Sequence, residues 1–149
     1  MEEYLLIDDT KFIISIRNLL DNALKYGGNK KIQLIIQKNK NIEFHIKDFG
    51  IGISKDKLEK IMEPFYQTDQ SVTNIGFGLG LTICKKIIES HKGSLKINSK
   101  EGEGSTFSIL SGPPRFTNTT AVFIVYSIFT QSWGIKNFDN SASGEPAFN

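Results

Sequence analysis

The chain is poor in features that anchor a protein from outside its own core. Cys84 is the one cysteine in 149 residues, which excludes an internal disulfide and fits a reducing compartment. It stands among Ile83, Ile87 and Ile88, the surroundings of a buried structural thiol rather than a reactive one. Charge of one sign is scarce: the formal net charge is +2, and no Lys/Arg run exceeds two residues. Such a balance argues for neither nucleic acid nor an acidic membrane as partner, and reads as a mixed solvated surface. Long apolar runs are missing too. The longest, Ala121 to Phe129, has nine residues and includes Tyr126 and Ser127. A membrane-spanning helix needs roughly 20. The opening residues, M-E-E-Y-L-L-I-D-D, are acidic and carry no secretory pattern, so a cytoplasmic domain without membrane contact of its own is expected.

Hydrophobic residues make up 39% of the chain and charged residues 23%, the ordinary composition of a globular domain with a single core. Periodicity supplies the elements. Tyr4 to Ile7 reads as a short strand. Asp8, Asp9 and Thr10 are helix-start residues, and a helix is expected from about Thr10 to Tyr26, closed by Gly27-Gly28. Ile16, Leu19, Leu20, Ala23 and Leu24 form its apolar stripe. Lys30 to Lys38 and Asn41 to Asp48 alternate with a period of two and read as a hairpin with one buried face. Lys55 to Met62 reads as a short helix that Ser54 caps and Pro64 ends. Gln67 to Ile75 has no period and reads as a mobile loop. Leu79 to Ser90 is a second amphipathic helix closed by Gly93, and Ser94 to Ser99 with Ser105 to Leu110 form a second hairpin. Residues 1–111 are expected to be one domain. Residues 112–149 are expected to be a divergent tail, with one extra strand over Thr119 to Thr130 and then disorder from Asn137.

Three stretches carry chemistry. Asn18, Asn22 and Lys25 fall at i, i+4 and i+7 and share one side of the first helix. Asn is a poor helix former. Its amide oxygen suits a hard cation such as Mg2+, and a lysine one turn on suits a phosphate, so the stripe reads either as a polar face or as a ligand site. Asp48 continues the buried series of Phe44 and Ile46, where a carboxylate needs a hydrogen-bond donor. It either caps the following turn or receives a donor from a ligand whose flat face lies on Ile53. Gly76-Phe77-Gly78-Leu79-Gly80-Leu81 leads into a helix N-terminus, an arrangement suited to phosphate. It has neither the dinucleotide fingerprint nor a Walker G-K-[ST].

The order of the pieces is more specific than any one of them. I-R-N-L-L-D-N-A-L-K-Y (16–26), D-F-G-I-G-I (48–53), E-P-F-Y (63–66), G-F-G-L-G-L (76–81) and G-E-G-S-T-F (102–107) resemble the N, G1, F and G2 boxes and terminal strand of the sensor histidine kinase ATP-binding domain. That domain belongs to the GHKL superfamily, with the gyrase, MutL and heat-shock chaperone ATPases. The resemblance spans Tyr4 to Leu110. It implies an α+β fold of Bergerat type: a two-layer α/β sandwich with a mixed sheet of about five strands and three helices on one face.

The resemblance also implies roles. Asn22 would be the Mg2+ ligand, Asn18 a nucleotide contact, Lys25 the phosphate-contacting base, and Tyr26 a cover over the nucleotide. Asp48 would accept the adenine amino hydrogen, with Thr106 supporting it through water. Gly50 and Gly52 would shape the adenine pocket and Ile53 would line it. Gly76, Gly78, Leu79 and Gly80 would be the hinge and phosphate edge of the lid formed by Gln67 to Ile75, with Phe65 and Tyr66 as its anchors. The implied cofactors are ATP and Mg2+. The implied partners are a histidine-bearing dimerisation module and a response regulator, and full-length relatives are usually anchored in the inner membrane. The implied activity is phosphoryl transfer to that histidine.

Some residues depart from the pattern. Many relatives carry Arg near positions 67 and 72, where this chain has Gln67 and Val72, which leaves phosphate contact by the lid open. His45, on the solvent face of a strand, and His91, at a helix end, are read as ordinary polar residues and not as phosphoacceptors, so the chain is expected to be the ATP-binding half of a kinase. Two other readings stay open: a hydrolytic ATPase with an acid such as Asp21 near the site, and a module that binds nucleotide only as a regulatory ligand.

Overall fold

Apolar spacing builds the first helix, α1 (Asp9–Tyr26), in the computed structural model, which describes residues 9–28, 30–38, 41–67 and 78–110. Ile16, Leu19, Leu20 and Ala23 are buried to within 1% of full burial. Leu24, expected in the same stripe, is 41% exposed. At 3.6 residues per turn it lies about 80° around the axis from Ile16, at the edge of the stripe. The helix ends as its glycines require: the Gly27 amide donates to Ala23 O at 2.8 Å and Gly28 takes φ +62°.

Four strands follow the two alternating patterns: β1 (Gln33–Lys38), β2 (Ile42–Lys47), β3 (Ser94–Lys100) and β4 (Gly104–Leu110). The first pair is a hairpin with Leu34 opposite Ile46 and Gln37 opposite Glu43. The last strand inserts between β2 and β3, giving the order β1-β2-β4-β3 with every neighbour antiparallel. The expected class, helices layered on an open sheet, is the observed one. The expected mixed sheet of about five strands is, among the described residues, a four-stranded antiparallel sheet. The strand expected at Tyr4 to Ile7 lies outside the described residues, as do most of the lid and everything after Leu110.

Among the described residues two α-helices, not three, stand over the sheet: α1 and α2 (Gly80–Ser90). The third expected helix is a run of turns ending in a 3-10 turn, Lys60–Met62. Lys57 N donates to Ser54 O at 3.0 Å and Ile61 N to Lys57 O at 3.0 Å. A stretch this short, cut off by Pro64, does not sustain the repeated bonding that offsets helix nucleation.

The core lies between the layers. Phe44, Ile46, Phe107 and Ile109 rise from the sheet and meet Ile16, Leu19, Leu20, Cys84 and Ile88 of the helices. Phe12 packs edge-on against Phe44, with ring centroids 5.5 Å apart. Each such fully buried apolar side chain contributes roughly 1.5–3 kcal/mol. Cys84 joins the two helices: its thiol donates to Ser15 O at 3.6 Å. Burial pushes that thiol up to about 12, with the Ser15 side chain acting the other way. On β4 the alternation is strict from Ser105 onward. Ser105, Phe107 and Ile109 turn to the helices, whereas Thr106, Ser108 and Leu110 turn to the open face.

Candidate functional site

The two helices and the ends of β2 and β4 enclose a cleft of about 670 Å³. Helical spacing aims the polar stripe of α1 into it: Asn18, Asp21, Asn22, Lys25 and Tyr26 all line its wall. Asn18 and Asn22 are half-buried and Lys25 is exposed, its ammonium 5.3 Å from the centre of the Tyr26 ring. Opposite them lies the start of α2. Leu79 caps it without a side-chain hydrogen bond, and no acidic residue occupies the first turn. Leu79, Gly80 and Leu81 line the cleft, so the first turn of α2, which carries no acid, borders it with the positive end of the helix dipole. Gly80 brings this end close to α1: a side chain there would begin 4.0 Å from Asn18 Cγ.

Asp48 closes the inner end. It is 3% exposed. Its Oδ1 accepts from the amide of Gly50 at 2.9 Å and from the amide of Ser105 at 3.3 Å. Its own amide donates to Ser105 O at 2.9 Å. One oxygen thus caps the turn, while Oδ2 has no protein partner among the described residues and Asp48 lines the cleft. Such an oxygen can only accept, so the group it meets must carry a hydrogen.

The loop after Asp48 is tied at three points. Ile51 N donates to Tyr26 O at 3.3 Å, Gly102 N to Ile51 O at 2.7 Å, and Ile53 N to Ser99 Oγ at 2.8 Å. Gly52 sits at φ +67°, and a side chain on it would begin 2.0 Å from Lys100 O. Only glycine fits that backbone at that distance. Ile53 is thereby held as an apolar wall beside Asp48.

Of the residues singled out in the sequence, Asn18, Asn22, Lys25, Tyr26, Asp48, Gly52, Ile53, Gly78, Leu79 and Gly80 line this one cleft, as do Tyr66 and Gln67. Gly50 lies behind it, donating to Asp48. Phe65 is 72% exposed and does not line it; its amide donates to Gly78 O at 3.1 Å, joining two residues that flank the stretch expected to be a lid. Gly76 and Val72 lie outside the described residues. Thr106 is a correction. It faces away from the cleft, paired across the sheet with Lys47 and Asn98, and Ser105 lines the cleft in its place. The alternation of Phe107 and Ile109 already pointed there, since Ser105 shares their parity. Lys57, Ile61 and Glu101 also line the cleft, and no pattern in the sequence singled them out. His45 is on the open face, with Nδ1 2.8 Å from Ser108 Oγ, and His91 Nδ1 lies 2.7 Å from Ile87 O at the end of α2.

Residues 7–114 match the profile of the histidine kinase-, DNA gyrase B- and HSP90-like ATPases. The chain belongs to that family. Similar proteins place it on the kinase side. It is 38% identical over 109 residues to the sensor protein kinase WalK of Staphylococcus haemolyticus, covering 69% of this chain and 18% of that protein. It is 38% identical over 108 residues to WalK of Staphylococcus aureus strain Newman, covering 68% and 18%. The chain thus spans less than a fifth of the length of these relatives. The catalytic domain of histidine kinase ThkA, nucleotide-free, superposes with a TM-score of 0.62 at 30% identity, covering 72% of this chain and 70% of that one. Full-length ShkA in complex with AMPPNP shares the fold, with a TM-score of 0.58 at 24% identity over 69% of this chain and 22% of that one. The domain is a histidine-kinase-type ATPase domain. Among the described residues, no helix is long and apolar enough to cross a membrane.

Proposed function

We propose that the cleft binds Mg2+-ATP and that the domain transfers the γ-phosphoryl group to a histidine on a separate dimerisation module, from which a response regulator takes it. The observation that carries this reading is the inner end of the cleft: Asp48 offers Oδ2 to a hydrogen donor beside the apolar wall of Ile53. Adenine presents an amino group at position 6, and guanine presents an acceptor there. The wrong base would leave two acceptors facing each other, a discrimination on the order of 1–3 kcal/mol.

At the other end, the α2 amides and Lys25 suit the phosphates. Asn22 would hold Mg2+ by its amide oxygen. Among the described residues there is no cluster of three or more His, Cys, Asp or Glu to cage a metal. Waters and phosphate oxygens would complete the shell of such an ion. When bound, Mg2+ would neutralise charge on the phosphates. The protein's own part is positioning. Asp48 and Ile53 fix the base, and α1 and α2 hold the triphosphate for in-line attack by the acceptor imidazole. The bond from the γ-phosphorus to the bridging oxygen breaks, and ADP leaves. Gln67 lines the cleft with a neutral side chain, so that residue brings no cation to the phosphates. ATP as substrate puts the domain on the cytoplasmic side.

The test is transfer of radiolabelled γ-phosphate from ATP to a supplied histidine-bearing module of a sensor kinase. Acid-labile label on that module is the expected result. Asp21 also lines the cleft, which gives the hydrolytic reading one candidate base. Steady phosphate release by the isolated domain would favour hydrolysis. Nucleotide binding with neither transfer nor release would favour a regulatory module.

A further inference from the structure

Ser99 lies behind the cleft wall and does not line it, yet it bonds to three parts of the inner end. Its hydroxyl donates to Gly104 O at 3.0 Å, accepts from Ile53 N at 2.8 Å, and lies 2.8 Å from Ser105 Oγ. A hydroxyl has one proton and two lone pairs. A carbonyl can only accept, so the Ser99 proton goes to Gly104. The contact between the two serines must then be made by the Ser105 proton, donated to Ser99. Ser99 is thereby saturated. Ser105, 6% exposed and in the cleft wall, keeps only lone pairs for the cleft.

We infer that Ser99 is a positioning residue for base specificity: by taking the Ser105 proton, it makes the inner end of the cleft a pair of acceptors, Asp48 Oδ2 and Ser105 Oγ. The Ser105 amide bonds to Asp48 Oδ1, which holds the two acceptors side by side. Their joint complement is a group with two hydrogens on one atom, a primary amine on a flat ring. A 6-oxo ring meets two acceptors and no donor. Without the Ser99 hydroxyl, the Ser105 proton is free to turn inward and serve a 6-oxo ring. This inference rests on the adenine reading of the cleft and adds to it a residue that no ligand touches.

The experiment measures the affinities of the whole chain for ATP and for inosine triphosphate, which carries 6-oxo in place of 6-amino, by displacement of a fluorescent ATP analogue. The wild type is expected to prefer ATP. Ser99→Ala is expected to lower the ATP-to-ITP preference about fivefold, the worth of one hydrogen bond, and Ser99→Thr to restore it. Ser105→Ala removes one acceptor and is expected to weaken ATP more than ITP; it also serves should Ser99→Ala fail to fold. If Ser99→Ala weakens both nucleotides equally, or leaves the preference unchanged, Ser99 is only a structural bond and the inference is overturned. The same holds if Ser105→Ala leaves the preference unchanged. If the wild type binds neither nucleotide, the adenine reading falls and takes this inference with it. Binding of ATP with an unaltered preference in the variants overturns this inference alone.

Discussion

The carbonyl oxygen of Tyr26 occupies the place where a side chain on Gly50 would begin, 1.9 Å from the ideal Cβ position. The end of α1 and the loop that carries Asp48 are therefore pressed backbone to backbone, and the amide of Ile51 bonds to that same carbonyl. The contact fixes the distance between the polar stripe of α1 and the carboxylate at the inner end of the cleft.

Gly50→Ala forces these backbones apart. A loss of about 2–4 kcal/mol is expected, since neither neighbour is a side chain that can swing aside. Urea unfolding followed by circular dichroism measures it. A change below about 0.5 kcal/mol, the range of ordinary surface substitutions, would contradict the close approach.

Asp48→Asn keeps the shape and changes the polarity. Two backbone amides point at Oδ1, so the oxygen of the new side-chain amide would take that place and its NH2 would face the cleft. A donor would then meet a donor. Adenine nucleotide affinity is expected to fall by about a hundredfold or more, with the unfolding midpoint little changed. Isothermal titration with ADP measures it.

Asn22→Ala removes the amide oxygen and leaves the base pocket intact. The expected outcome is loss of the Mg2+ dependence of ATP binding: affinities measured with Mg2+ and with chelator converge. A Mg2+ effect as large as in the wild type would move the ion's ligand elsewhere.

Cys84 gives a pH dependence with a definite sign. The folded thiol is raised from 9.0 to about 12 by burial, so above about pH 9 the unfolded chain loses a proton that the folded chain keeps. Its contribution to stability is complete below pH 9 and is lost as pH rises, by at most about 1.4 kcal/mol per pH unit. Urea unfolding of the wild type and Cys84→Ala between about pH 8 and 10.5 is expected to show a steeper decline in the wild type. Labelling by a thiol reagent at about pH 8 is expected only on unfolding.

Much of the domain was legible in the sequence because its periods are clean. The alternation of Ile46 and Asp48 put a carboxylate on the buried side of β2, and the i, i+4, i+7 spacing put Asn18, Asn22 and Lys25 on one side of α1. Both placements agree with the geometry of the cleft. The stretch from Lys55 to Met62 was less legible, since a few residues of helical pattern do not distinguish a helix from successive turns. Thr106 was placed by resemblance where parity would have chosen Ser105. Ser99 left no trace at all: it hydrogen-bonds to Gly104 and Ser105 across its hairpin and to Ile53 in a loop distant in sequence, and such bonds have no period.

Isothermal titration of the chain with ATP and with GTP, each with and without Mg2+, shows whether the cleft reads the purine ring and holds the metal. Saturable ATP binding that tightens with Mg2+ is expected, with GTP weaker by about tenfold or more. Equal affinity for the two bases, or no binding of either, would contradict it.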